Sequence, residues 1–321
     1  MSGRAAPPGG TIGGVDAARV GRALSGEGLD LDLGAMRVRL RSRVGALVEP
    51  LRTVYRHHPF LAWDDAFVDA DVVLETSRGL RRLMRPALRF VADGIDPFGD
   101  LPIDMPLPQL EWGINWCFAT MTNRHLLLHA GSLEIDGAGL LLMGEPGAGK
   151  STLTAALSLR GARVLSDEFG VVRLSDRALL PLAKPIALKN RSIDVIRAWS
   201  AEAVLGPICR KTHKGDVAHL TLPAASVHAR ATPARAAAIV FPRWQQGAAT
   251  SLVPIGAAEA FGTVAANSFN FDTLGPDAFD AVRDLVARAA CYRLRYSDLA
   301  QAESVLRRAL STTDVHEAVP T

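Results

Sequence analysis

Residues Gly144-Glu-Pro-Gly-Ala-Gly-Lys150-Ser151 match G-x-x-x-x-G-K-[ST], a pattern whose glycines let backbone N–H groups close on phosphate oxygens. An apolar run, Leu140 to Met143, precedes the loop and a helical pattern, Thr152 to Leu159, follows it. The first N–H groups of that helix would therefore face a bound anion. In such a loop Lys150 contacts the β- and γ-phosphates of a nucleoside triphosphate, and the Ser151 hydroxyl ligates magnesium. The candidate nucleotide-binding residues are thus Gly144, Glu145, Pro146, Gly147, Ala148, Gly149, Lys150, Ser151 and Thr152, with ATP and Mg2+ as the expected cofactors.

Such a loop needs an acid nearby for the metal. Ala162-Arg-Val-Leu-Ser-Asp167-Glu168 reads as a short apolar strand ending in two carboxylates, where a parallel neighbour strand would carry them to the nucleotide. Adjacent side chains on an extended chain point to opposite faces, so both reach one cation only if the strand ends there. Gly170 just beyond makes a turn natural.

Cations supply the next candidates. Only five of the 36 basic residues are lysines, and all five (Lys150, Lys184, Lys189, Lys211, Lys214) fall in one middle stretch. Lys211-Thr-His213-Lys214-Gly-Asp216 has the composition of a loop closing over phosphates or an acceptor, and equally that of an ordinary solvated loop. Lys184 and Lys189 rank below Lys211 and Lys214 as phosphate or acceptor contacts. Arg293 and Arg295 alternate on a strand and face either solvent or nucleotide. His57-His58 has no carboxylate or cysteine set at metal spacing and reads as surface.

The elements that must position these residues follow from periodicity. Leu29 to Arg43 partly alternates as a strand, Val44 to Tyr55 is more helical, and Ala66 to Leu74 and Pro86 to Val91 are strand-like. A proline-rich stretch, Asp96 to Pro108, marks a boundary, so 26–105 reads as a small α+β domain behind a flexible tail, 1–25. The catalytic domain then spans 106–321. Pro108 to Asn123 repeats at helical spacing and leads into it, with Trp112 and Trp116 as core or interdomain packing. Strands Leu126 to Ile135 and Gly139 to Met143 are joined by Asp136-Gly137, a hairpin dipeptide. Strand Ala237 to Phe241, helices Ala257 to Ser268 and Pro276 to Ala290, strand Tyr292 to Tyr296 and helix Leu299 to Leu310 complete an α/β domain.

Composition excludes several classes. The 321 residues are 48% apolar, enough for a sizeable core, and 36 basic against 33 acidic residues leave +3, too balanced for a dedicated nucleic-acid binder. No run approaches a membrane span. Cys117, Cys209 and Cys291 are widely separated and form no C-x-x-C pair, which points to a cytoplasmic protein without a disulfide framework.

The stretch from His129 to Ser151, with Asp167-Glu168 in register behind it, resembles the catalytic core of HPr kinase/phosphorylase, a bacterial protein-serine kinase. Lys184 to Asn190, Thr212 to Leu220 and Ala266 to Asn270 are similar to the subgroup called HPr kinase-related kinase A. The resemblance is close over Arg124 to Val172 and looser through the rest of the second domain. It implies a P-loop fold of the HPr kinase/phosphoenolpyruvate carboxykinase type. It also implies Asp167 as general base, Glu168 as magnesium support alongside Ser151, His129 as the residue that orients Asp167, and assembly into a homo-oligomer. The chain departs from that family in carrying Glu168 in place of a second aspartate, and lacks the glycine- and arginine-containing signature tied to phosphorolysis. The expected activity is ATP- and magnesium-dependent transfer to a hydroxyl, foremost a serine of a protein or peptide. A small-molecule kinase and a nucleotide-dependent binding or assembly module are the alternatives.

Overall fold

The structure, a computed structural model, describes residues 10–62, 65–77 and 86–313. Strands β1 (Leu29–Asp32), β2 (Arg37–Ser42), β3 (Leu61–Ala62), β4 (Ala70–Thr76), β5 (Ala87–Ala92) and β6 (Leu101–Pro102) form a first sheet in the order β3-β1-β2-β4-β5-β6. The alternating run read as one strand is a hairpin, β1 pairing antiparallel with β2. On β2 the period of two is strict: Val38, Leu40 and Ser42 are buried, while Arg37 and Arg39 close on the buried Asp30 at 2.8 Å each.

Helix α1 (Ala17–Ser25) starts at Asp16, whose carboxylate accepts from the Arg19 N–H at 2.7 Å, and buries Val20 and Leu24. This part of the expected tail is therefore core, because the helix is capped and amphipathic; residues 1–9 lie outside the described residues. Helix α2 (Val48–Val54) follows β2, and α3 (Pro106–Met121) packs on the first sheet rather than leading away from it. Gly113 lets α3 come down on β5: a Cβ there would stand 2.0 Å from the Phe90 ring. His58, expected at the surface, is buried, its Nε2 lying 2.7 Å from the Ala183 carbonyl. Long-range polar pairing, which leaves no local pattern, explains that difference.

The second region is mixed α/β. Strand β7 (His125–Ile135) and β8 (Ala138–Met143) form the expected hairpin, with Asp136 (φ 51°) and Gly137 (φ 89°) both left-handed. Helix α4 (Lys150–Ser158) leaves β8 through the Gly144–Ser151 loop. Strands β9 (Arg163–Ser166), β10 (Phe169–Arg173) and β11 (Leu179–Leu180) follow. Next come β12 (Ile186–Lys189), α5 (Arg191–Trp199), β13 (Cys209–Thr212), β14 (Gly215–Leu220) and α6 (Ala224–His228). The chain continues through β15 (Ala236–Trp244), β16 (Ser251–Pro254), α7 (Ala257–Ala266), α8 (Phe271–Leu274), α9 (Pro276–Arg288), β17 (Ala290–Tyr296) and α10 (Leu299–Thr313).

The main sheet runs β11-β10-β7-β8-β15-β17-β16, with β9 also on β7, and β15 is parallel to both β8 and β17. All six residues of β8 are buried because both faces are covered. Leu140 and Leu142 join one core with α4 and α10, and Leu141 and Met143 join another with α7 and α9. A small sheet, β12-β14-β13, stands beside them.

Candidate functional site

The Gly144–Ser151 loop begins where β8 ends. Gly144, Gly147 and Gly149 all have positive φ (145°, 85° and 94°), and Gly149 directly precedes α4. A Cβ on Gly149 would also stand 2.4 Å from the Tyr296 hydroxyl, so glycine is required there on two grounds. The loop is pinned by the Trp244 N–H donating to the Ala148 carbonyl at 3.1 Å. The first-turn N–H groups of α4 have no intrahelical acceptors and point out of its start. Lys150 folds back over this opening, its Nζ donating to the Gly144 carbonyl and to that of Glu145 at 3.2 Å.

Asp167 and Glu168 lie at a bend between β9 and β10, and this bend, rather than a turn at Gly170, lets both serve one site. Gly170 sits inside β10 opposite Leu128. The neighbour of β9 is β7, antiparallel to it: the tight β7–β8 hairpin occupies that flank of β8, so β9 runs in the direction of β8 one strand farther out. Asp167 is buried and its Oδ1 has no hydrogen-bond partner. Burial, then the charge of Glu168, pushes its pKa up to about 7, while the nearby Ser151 hydroxyl, Lys189 and Lys150 pull the other way. Burial lowers the pKa of Lys150, opposed by Glu168 and Asp167.

His129, on β7 directly across from Phe169, has its Nε2 4.0 Å from Glu168 Oε1. Its pKa is lowered by burial and then by Lys150, with Glu168 opposing. The Ala266–Asn270 segment is held against β7 by buried Asn270, whose Oδ1 accepts from the Leu127 N–H at 3.0 Å and whose Nδ2 donates to the His125 carbonyl at 2.8 Å. That lacing sets Phe269 5.6 Å from the His129 ring.

The cations divide differently from their expected ranking. Lys189, at the end of β12, borders the same cleft as Asp167 and Glu168. Asn190 (φ 51°) ties this end of β12 to the β13–β14 hairpin, accepting from the Asp216 N–H at 3.0 Å. The hairpin tip sets His213 4.5 Å and Lys214 5.3 Å from the Trp112 ring. Lys211, with its own N–H on Asp216 Oδ1, lines neither the cleft nor the groove beside it. Lys184 also borders this cleft but is already paired: it is buried against Glu111 at 2.9 Å and donates to Asn115 Oδ1 at 2.8 Å. Arg293 pairs with Glu259 at 2.5 Å.

The chain matches no family model and no curated protein.

Glycines and helix N–H groups of the kind that bind anions, two lysines beside them, and a buried carboxylate with one oxygen lacking a hydrogen-bond partner form one site. Among the described residues no group of three or more His, Cys, Asp or Glu could hold a metal alone. Residues missed in the sequence include Phe269, Glu111 with Tyr55 behind it (Tyr55 hydroxyl to Oε1, 2.6 Å), and the half-exposed Trp244 beside the loop. The strand-like Ala237 to Phe241 pattern, extended by three residues, was the available signal for Trp244, and Phe269 lay within the singled-out Ala266 to Asn270 segment; Glu111 and Tyr55 depend on contacts between distant segments. Among the described residues no helix is long and apolar enough to cross a membrane.

Proposed function

We propose that the protein is an ATP- and magnesium-dependent kinase with a P-loop domain of the HPr kinase type, acting on a hydroxyl of a serine-bearing protein or peptide. The observation that carries the reading is the convergence of Lys150, Ser151, Asp167 and Glu168, brought to one point by β8, α4 and the β9–β10 bend.

In this reading the loop N–H groups and Lys150 bind the β- and γ-phosphates, and Lys150 exchanges its loop carbonyls for phosphate oxygens. Ser151 and Glu168 hold magnesium, which when bound neutralises charge on the transferring group. Asp167 removes the proton from the acceptor hydroxyl as that oxygen bonds to the γ-phosphorus and the bond to the bridging oxygen breaks, releasing ADP. His129 positions the carboxylates.

The test is incubation of the purified chain with γ-labelled ATP, magnesium and an extract of its own cells, with labelled species identified by mass spectrometry. A labelled serine peptide is expected, and Lys150→Ala abolishes both ATP binding and labelling. A labelled metabolite with no labelled polypeptide would make it a small-molecule kinase. Slow release of inorganic phosphate without any acceptor would make the nucleotide a switch.

A further inference from the structure

Two hollows meet at Glu168 and Phe169. The inner cleft, bordered by Asp167, Lys184, Lys189 and His219, offers about 30 Å³, room for a hydroxyl-sized group but not for a whole acceptor. The outer groove offers about 340 Å³ and is predominantly apolar. Its walls come from separate elements. Trp112 and Trp116 stand one turn apart on α3, Phe98 precedes β6, Phe169 is on β10, and Phe269 is the residue that Asn270 holds beside His129. The rings meet edge to face, Phe98 to Trp116 at 6.4 Å, or tilted, Phe169 to Phe269 at 5.0 Å, so edges and faces both line the hollow. His213 and Lys214 close one rim over Trp112.

We propose that this groove docks the phosphoacceptor, and that its occupant is an extended peptide carrying an aromatic or large aliphatic side chain close in sequence to the phosphorylated serine. The inference rests on the kinase reading above. Continuity supplies the first argument, since Glu168 closes the inner end of the groove and a residue seated among the rings puts its chain neighbour at the carboxylates. Exposure supplies the second. Small molecules are bound with most of their surface enclosed, yet Phe98 and Phe269 remain 38% and 47% exposed. A segment of a larger partner covers such rims, as apolar anchors with flanking main chain do in peptide grooves. The imidazole and ammonium at the rim favour a peptide with a carboxylate on that side.

The experiment uses the full chain and short synthetic peptides, each with one serine in an alanine background, with or without a neighbouring Phe, Trp or Leu. Binding is read by fluorescence anisotropy with a non-hydrolysable ATP analogue present, and transfer by γ-labelled ATP. The expected result is tighter binding of the aromatic or leucine peptides by about 10-fold, lost in Trp116→Ala and in Phe98→Ala while affinity for the ATP analogue is retained. Retained analogue binding shows that each variant is folded.

Equal binding of all peptides, or a preference that survives both variants, overturns the docking site. Preferential phosphorylation of 2-(indol-3-yl)ethanol over every peptide overturns the peptide occupant. Transfer to serine that ignores the neighbouring side chain overturns the docking site and leaves the kinase reading intact. Preferential, variant-sensitive binding without any transfer supports the docking site and counts against the kinase reading.

Discussion

Asp167 and Glu168 are neighbours in sequence with different surroundings, and single substitutions separate their roles. Asp167 is buried, with an oxygen left unpartnered, whereas Glu168 reaches both hollows and His129. Asp167→Asn is expected to keep ATP binding and lose transfer by about 100-fold or more, the scale of a missing general base. Glu168→Gln is expected to raise the magnesium concentration needed for half-maximal rate. Titration calorimetry and labelled-phosphate kinetics check both, and the opposite pattern exchanges the two assignments. Lys184 has a structural role instead. Its ammonium neutralises Glu111, whose pKa is lowered against its burial chiefly by that charge. Lys184→Met leaves a buried carboxylate uncompensated and is expected to lower stability by about 3–5 kcal/mol in urea denaturation. A change below 1 kcal/mol would mean that Tyr55 and water satisfy Glu111 unaided.

At the scale of elements, α3 links the first sheet to the candidate site. One side of it buries Leu110, Ile114, Cys117 and Phe118 in the core shared with that sheet, and another presents Trp112 and Trp116 to the groove. Its approach to β5 depends on Gly113, over which the Phe90 ring lies. Gly113→Val is expected to cost about 1–3 kcal/mol by forcing helix and strand apart. It is also expected to weaken peptide binding in the groove, because the tryptophans move with the helix. Thermal unfolding and the peptide anisotropy assay read the two effects, and a variant with altered stability but unchanged peptide affinity would show that the groove does not depend on the seat of α3. The helical spacing from Leu107 to Met121 was legible in the sequence, but the surface it packs on was not. Periodicity reports that a helix has an apolar side and is silent on which sheet covers it.

At the scale of the molecule, the first sheet is joined to the rest by buried polar contacts. The Tyr55 hydroxyl donates to Glu111, His58 meets the Ala183 carbonyl, and Thr221 Oγ1 donates to the Thr53 carbonyl at 3.0 Å. Two buried histidines lie in this region. Burial pushes His58 and His219 each down to about 4, and neither ring nitrogen of His219 has a hydrogen-bond partner. Both stay neutral in the folded protein while the unfolded chain takes up protons below about pH 6.5. Their contribution is therefore fully present above that pH and is lost as pH falls from about 6.5 to about 4, by up to about 3 kcal/mol each. Denaturation midpoints at pH 7.5 and 5 check this, and His219→Gln is expected to reduce the difference by about half. An equal midpoint at both pH values would mean that the histidines titrate normally.

The sequence by itself determined the local pieces. These are the glycine loop between an apolar strand and a helix, the Asp136-Gly137 hairpin, the C-terminal strands and helices, and a carboxylate pair at a strand end. Each is a matter of backbone preference and period within a short segment. Tertiary structure decided which of these meet. It brought Asp167 to Ser151 through the strand order around β7, set Lys189 and Lys214 at the site while burying Lys184 against Glu111, took His58 into the interior, and turned two tryptophans of α3 into a groove wall. These outcomes rest on desolvation and on contacts between residues far apart in the chain, and neither leaves a periodic trace in the residues themselves.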